Sequence, residues 1–253
     1  ISAACTVNGK FVCCSGDSVF VQGRKVGSVT HKKTDGVRTI VPLGKDFYIS
    51  PDGIFISEKD GNFYVRFANQ TNISASANIA ALLCDETGSQ ITPSYFSDTT
   101  PSEPLTGYSW VKISGEEMYL YFYNDSTLKW EEKYRVYTKI SASPITQNIA
   151  AGDRILLSGF SDEKLNTETT VIKVSEDYLV VDRVPSAHTL IQKTPITVER
   201  LFPKLDFAVE SNNRVFGCRY GLNRSGEFVN EIYASSLGNP LKWYDFDGIS
   251  TDS

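Results

Sequence analysis

Short runs of apolar and aromatic residues, separated by Gly, Asp and Asn, dominate the hydrophobic pattern of this chain. An apolar period of 3.6 residues is hardly ever sustained over ten positions, so the pattern favours strands over helices. Pro51-Asp52-Gly53, for example, separates Asp46–Ile49 from Ile54–Ser57 and is typical of a tight turn. Ala68–Pro104 is rich in Ser, Thr and Asn, and we expect a long connection there with one strand, Ile79–Cys84. The sequence predicts a nearly all-β protein built of hairpins.

The strand pattern changes twice along the chain. In residues 144–202 the apolar and polar positions alternate regularly, as in Thr169–Val174, which indicates strands with one wet and one dry face. We interpret this segment as an inserted small β-barrel. Residues 1–143 and 203–253 share the hairpin pattern and are predicted to form propeller-like antiparallel sheets on either side of it.

Charge and composition narrow the class of partner. The 253 residues carry 25 Lys and Arg against 30 Asp and Glu, so the net charge is −5, and the positive charges are scattered. A protein that binds nucleic acid or an anionic membrane through general electrostatics needs a basic patch. No apolar run approaches the roughly 20 residues that span a bilayer. We therefore expect no nucleic-acid or membrane partner.

Metal and cofactor sites have no supporting motif. His31 and His188 lie in polar segments without a ligand pattern. Asp245-Phe246-Asp247-Gly248 is similar to the start of a calcium loop but lacks the later oxygen ligands, so a turn is predicted. Glycine-rich phosphate loops are absent, and we predict no cofactor and no metal. Five cysteines without C-x-x-C spacing are interpreted as buried thiols from a reducing compartment: Cys5, Cys13, Cys14, Cys84 and Cys218.

Paired acidic residues are the nearest approach to catalytic chemistry. Glu116-Glu117 and Glu131-Glu132 are neighbours within predicted strands, so their side chains should point to opposite faces. A glycosidase needs two carboxylates facing one bond. No serine elbow and no Cys–His pattern is present either. The sequence predicts a protein that is not an enzyme and has no catalytic residues.

Tyrosines supply the best candidate for an interaction surface. Tyr119, Tyr121 and Tyr123 alternate along one predicted strand and therefore share a face. Trp130 follows on the next predicted strand, and together with Trp110 these residues could form a stacking platform. The alternative is that the shared face packs against a neighbouring sheet.

One stretch near the end carries a more specific signal. Residues 210–218 and 230–243 resemble the "N-R-L-W-G … I-Y-A-S-x-L-G-D-P-x-x-W" signature of propeller-type segments in virion proteins of tailed bacteriophages and prophages, although Phe216 and Asn239 replace Trp and Asp. The matching residues are Asn213, Arg214, Gly217, Ile232, Tyr233, Ala234, Ser235, Leu237, Gly238, Pro240 and Trp243. We interpret them as architectural: a turn at Asn212-Asn213, an inner blade strand at Arg214–Cys218 and a Trp that caps the blade.

The resemblance implies a non-enzymatic structural component of a phage virion, in the tail or neck region. Such a protein would act through assembly contacts with other virion proteins and with copies of itself. It would fold in the host bacterial cytoplasm and end in the virion. The alternative function is a carbohydrate- or receptor-binding module of a phage tail, with a surface glycan as the ligand. A glycan-degrading enzyme is less favoured because no two carboxylates can be placed in one pocket.

Overall fold

The structure, a computed structural model, describes residues 1–29, 38–76, 78–102, 104–203, 205–222 and 228–243. Within these ranges it contains twenty-two β-strands and a single 3₁₀ turn, Glu163–Leu165. The prediction of an all-β protein is confirmed. The chain divides into two compact units, one made of residues 1–69 and 201–253 and the other of residues 70–200.

The first unit contains three antiparallel sheets in which consecutive strands pair. The first sheet consists of β1 (Ala3–Val7), β2 (Lys10–Ser15), β3 (Ser18–Val21) and β4 (Arg24–Ser28). The second consists of β5 (Thr39–Leu43), β6 (Asp46–Ser50), β7 (Ile54–Lys59) and β8 (Asn62–Phe67). The third consists of β20 (Phe207–Ser211), β21 (Arg214–Leu222) and β22 (Phe228–Ala234).

Two-residue turns fix the register of most of these hairpins. Val7 pairs with Lys10, which leaves Asn8 and Gly9 as the loop, both with positive φ. The predicted turn at Asn212-Asn213 has the same form, with φ values of 50° and 59°. Two positive φ angles define the turn whose twist matches that of the flanking strands, and Asn and Gly tolerate them best.

The second sheet lies between the other two and is buried on both faces. Along β6, Phe47 and Ile49 belong to a core shared with the first sheet, whereas Tyr48 belongs to a core shared with the third. The period of two along a strand produces this division. The first strands of the sheets also lie side by side, with β1 next to β5 and β5 next to β20.

The second unit is built around one extended sheet. Its main path runs β11-β12-β13-β14-β17-β16-β15-β19-β9, and β10 pairs with both β14 and β18. The strand bounds are β9 (Gln70–Ser74), β10 (Ile79–Cys84), β11 (Tyr95–Ser97), β12 (Ser109–Ser114), β13 (Glu117–Asn124), β14 (Lys129–Ser141), β15 (Arg154–Ser158), β16 (Glu168–Val174), β17 (Tyr178–Val181), β18 (Thr189–Gln192) and β19 (Ile196–Arg200).

A closed barrel at 144–202 is not among the sheets that the structure describes. The outer strands of that segment bond to strands outside it: β17 pairs with β14, and β19 pairs with β9. The compact unit therefore begins at Gln70, well before the predicted insert. The expected long connection at 68–104 contains three strands, β9, β10 and β11, rather than one.

Candidate functional site

Six aromatic side chains gather on one face of the sheet formed by β11 to β14. Met118 and Leu120 of β13 point to the opposite face, where they are buried in a core with Val111 and Val136. Cross-strand pairing then brings the aromatic residues together. Trp110 pairs with Tyr95 on one side and Tyr121 on the other, and Tyr123 pairs with Trp130. We call the six residues the aromatic cluster: Tyr95, Tyr108, Trp110, Tyr121, Tyr123 and Trp130.

Trp110 and Trp130 form the centre of the aromatic cluster. Their ring centroids are 5.6 Å apart at an interplanar angle of 64°. Trp130 also contacts Tyr95 at 6.1 Å and Tyr123 at 5.5 Å, and Trp110 contacts Tyr121 at 5.3 Å. Such tilted arrangements are the favoured geometry for aromatic pairs. Trp110 is buried, whereas the other five rings are partly exposed.

The two indole N–H groups differ in their partners. The Trp110 Nε1 donates to the backbone carbonyl and the hydroxyl of Ser97, at 3.2 and 3.1 Å. The Trp130 Nε1 is buried and has no hydrogen-bond acceptor among the residues that the structure describes. An unpaired buried donor costs about 1–3 kcal/mol relative to a paired one.

Charged and polar groups border the rings. The Tyr121 hydroxyl donates to Glu132 over 2.5 Å, and this hydrogen bond is the main reason that the pKa of Tyr121 rises to about 12. Asn124 donates to Glu131 over 2.6 Å, and this pair lies on the opposite face of the sheet, beside Phe122. The Lys112 ammonium lies 5.9 Å from the Trp110 ring centroid and 6.0 Å from that of Tyr121. The cluster therefore combines partly exposed rings with charged groups held in place.

Tyr119 has a different neighbourhood from Tyr121 and Tyr123. It lies on the same face of β13, but its hydroxyl donates to Glu117 over 2.7 Å, and this bond raises the pKa of Tyr119. Glu117 is also paired with Arg135, whose guanidinium contacts Asp182 at 2.9 Å. Of the four predicted surface residues, the structure brings Tyr121, Tyr123 and Trp130 together, and Tyr119 belongs to an adjoining charged network.

The sequence did not predict three residues in or beside the aromatic cluster: Tyr95, Tyr108 and Lys112. Lys112 alternates with Trp110 on β12 and could have been assigned to the same face. Tyr95 reaches the cluster through a short parallel strand that pairs with β12, and no local pattern predicts such a pairing. Tyr108 immediately precedes β12, and its ring centroid lies 5.7 Å from that of Tyr95.

The signature segment folds as the third sheet and the loop that follows it. Arg214 donates to the Ser235 carbonyl over 3.1 Å, and the Ser235 hydroxyl accepts from the Val215 amide over 2.9 Å. The Gly238 amide donates to the Asn213 carbonyl, which returns the loop to the first hairpin turn. Arg214–Cys218 lies in β21, the central strand of this sheet, between β20 and β22.

The remaining signature residues divide between a buried and an exposed face. Trp243 is buried against Tyr48, with ring centroids 6.1 Å apart, and its Nε1 donates to the Pro240 carbonyl over 2.9 Å. Tyr233 packs on the same core, and Gly217 lies against Leu205. The exposed positions of the signature are Asn213, Ile232, Ala234, Leu237 and Gly238.

The predicted pairs of carboxylates do not converge on a common site. Glu116 contacts Arg183 and Glu117 contacts Arg135, while Glu131 and Glu132 accept from different side chains of β13. No group of three or more His, Cys, Asp or Glu suited to a metal ion occurs among the described residues. All five cysteines are free thiols. His31 and the predicted turn at 245–248 lie outside the described residues.

Comparison with known proteins finds no matching family model, no matching curated protein and no matching solved structure. Among the described residues, no helix is long and apolar enough to cross a membrane.

Proposed function

We propose that this protein is a non-enzymatic structural component of a tailed-phage particle, in its tail or neck, and that the three stacked sheets are blades of a β-propeller. The protein would act through assembly contacts with other virion proteins and with copies of itself. The signature resemblance described above is one support for this proposal. The geometry of the first unit is the other.

The arrangement of the sheets supports a propeller. Each sheet is a meander of consecutive strands, the sheets stack face to face, and their first strands lie side by side. Propeller blades have the same organisation, with the first strand of each blade nearest the central axis.

The exposed face of the third sheet is the observation that carries the assembly role. Its cross-strand row Phe207–Cys218–Ile232 contains no charged residue, and neither does the adjacent row Val209–Phe216–Ala234. Phe207 is 55% exposed and Ile232 is 81% exposed. A contiguous apolar patch of this kind on a folded protein usually marks a protein interface. The opposite face of the same sheet is buried against the second sheet, so a further β-sheet would fit here in the same way.

The outer face of the first sheet has similar chemistry. The row Ala4–Cys13–Phe20 is uncharged over three strands and meets Lys25 only on the edge strand β4, and Phe11 on the same face is 47% exposed. The stack therefore ends on both sides in faces that suit contact with another sheet. Virion parts are built as symmetric assemblies, in which repeated contacts of this type are expected.

Sedimentation velocity tests the proposal. We expect the purified chain to form species larger than a monomer, and the variant Phe207→Ser/Ile232→Thr to dissociate them. The matched control is Ile73→Thr/Ile191→Thr, which changes two similarly exposed isoleucines of the second unit and should leave the association unchanged. A wild-type chain that is monomeric over a wide concentration range would overturn the assembly role, as would equal effects of the two variants.

A further inference from the structure

We propose that the aromatic cluster binds a neutral oligosaccharide through the partly exposed rings of Tyr121, Tyr123 and Trp130. This binding is independent of the assembly role, which rests on the third sheet of the other unit. The shape of the cluster, its polar border and its charge balance each support the inference.

The shape of the cluster suits pyranose rings. A pyranose has a face of C–H groups and a rim of hydroxyls, and its C–H face packs well on an aromatic ring. Tyr123 and Trp130 meet at 64°, and Tyr95 meets Trp130 at 89°, so the partly exposed rings offer several differently oriented faces instead of one flat surface. Neighbouring sugars of an oligosaccharide present their faces in different orientations and can use such a stepped surface.

The polar border supplies acceptors for sugar hydroxyls. Glu132 accepts a hydrogen bond from the Tyr121 hydroxyl and lies on the same face of the sheet as the rings, so this carboxylate is fixed next to them. This carboxylate has more lone pairs than its single hydrogen bond to Tyr121 uses. Ligand sites typically combine aromatic walls with a few fixed polar groups of this kind.

The charge balance favours a neutral sugar over an acidic one and over a protein surface. One cation, Lys112, and one fixed carboxylate, Glu132, border the rings, so their charges balance and an anionic sugar would meet the repulsion of Glu132. A dry protein interface over the cluster would have to desolvate these charges at a cost. The uncharged rows of the third sheet have no such penalty. Sugar hydroxyls can replace the water around the charged groups.

The test is a titration of isotope-labelled protein followed by two-dimensional NMR. The probes are four neutral tetrasaccharides: maltotetraose, cellotetraose, mannotetraose and chitotetraose. We expect at least one of them to shift the indole N–H resonances of Trp110 and Trp130 in a saturable manner, while that of Trp243 stays unchanged. The tryptophan resonances are assigned with Trp→Phe variants.

Two variants establish the site. Tyr123→Ala removes a partly exposed ring that contacts Trp130, and we expect binding to become about tenfold weaker. Tyr64→Ala removes a tyrosine that is 52% exposed in the first unit, and it should leave the affinity unchanged. Should Tyr123→Ala fail to fold, the saturable shifts in the wild-type protein still decide the question.

Three results would overturn the proposal: no shift at Trp110 or Trp130 with any tetrasaccharide, shifts confined to other residues, or equal weakening by Tyr123→Ala and Tyr64→Ala. Loss of self-association in Tyr123→Ala without sugar binding in the wild type would assign the cluster to protein contact instead. The sedimentation experiment on Phe207 and Ile232 is unaffected by any of these results.

Discussion

At the scale of the residue, the buried hydroxyl group of Tyr48 affects the stability of the core between the second and third sheets. Tyr48 is fully buried between the second and third sheets, and its hydroxyl has no hydrogen-bond partner among the described residues. Burial also raises the pKa of Tyr48. A buried polar group without a partner lowers stability by about 1–3 kcal/mol compared with an apolar group of the same shape. The ring itself packs against Trp243 and is needed.

The variant Tyr48→Phe keeps the ring and removes the unpaired hydroxyl. We expect its free energy of unfolding in urea to equal that of the wild type or to exceed it by about 1 kcal/mol. Tyr233→Phe is the matched control, because that hydroxyl donates to Glu231 over 2.6 Å and its loss should be neutral or destabilising. A decrease of more than about 1 kcal/mol in Tyr48→Phe would show that the hydroxyl is satisfied in solution.

At the scale of the element, the third sheet depends on a glycine in its central strand. A Cβ atom on Gly217 would lie 2.4 Å from the Leu205 Cδ1, and Leu205 is buried in the core between the second and third sheets. We expect Gly217→Val to lower the free energy of unfolding by about 1–3 kcal/mol, because overpacking forces neighbouring side chains to move. The control is Ala234→Val on the exposed face of β22, where urea unfolding should show little change. Equal effects of the two variants would contradict the packing argument.

The sequence predicts many elements closely because their apolar residues point inward. Predicted Ile54–Ser57, for instance, lies within β7, whose first three residues are buried. Strand β9 was missed because its pattern is inverted. Asn72 is buried and donates to the Ile145 and Gln147 carbonyls, whereas Ile73 is 61% exposed. Hydrogen bonds to distant backbone groups make a polar inward position stable, and no local pattern reveals them.

The candidate site also combines features that the sequence predicts with features that it does not. The alternation of Tyr121 and Tyr123 along β13 is a local property, and the sequence predicts their shared face correctly. The aromatic cluster also includes Tyr95, which lies beside Trp110 because β11 pairs in parallel with β12. Contacts between rings from different strands depend on long-range register, and a single sequence does not determine that register.

At the scale of the whole molecule, buried thiols should make the free energy of unfolding of both units fall at alkaline pH. Burial raises the pKa of Cys14 and of Cys84 from 9.0 to about 12, and hydrogen bonding to Glu132 raises the pKa of Tyr121 from 10.0 to about 12. At a pH between the pKa of the group in the unfolded chain, 9.0 or 10.0, and its pKa in the folded protein, about 12, the folded protein keeps a proton that the unfolded chain releases. The unfolded state therefore binds fewer protons, and the free energy of unfolding falls as the pH rises through this window.

We expect each buried thiol to lower the free energy of unfolding by up to about 1.4 kcal/mol per pH unit above about pH 9. At neutral pH these thiols should leave the pH dependence of the free energy of unfolding almost unchanged. Urea unfolding between about pH 8 and about pH 11 measures the slope. The variant Cys14→Ala/Cys84→Ala should be less stable at neutral pH, because methyl groups fill the sites less well, but its stability should decline less steeply. Cys14 lies in the first unit and Cys84 in the second, so each single variant should flatten the transition of its own unit. An unchanged slope in the double variant would mean that the thiols ionise before unfolding, and hence that the two cores admit water at high pH.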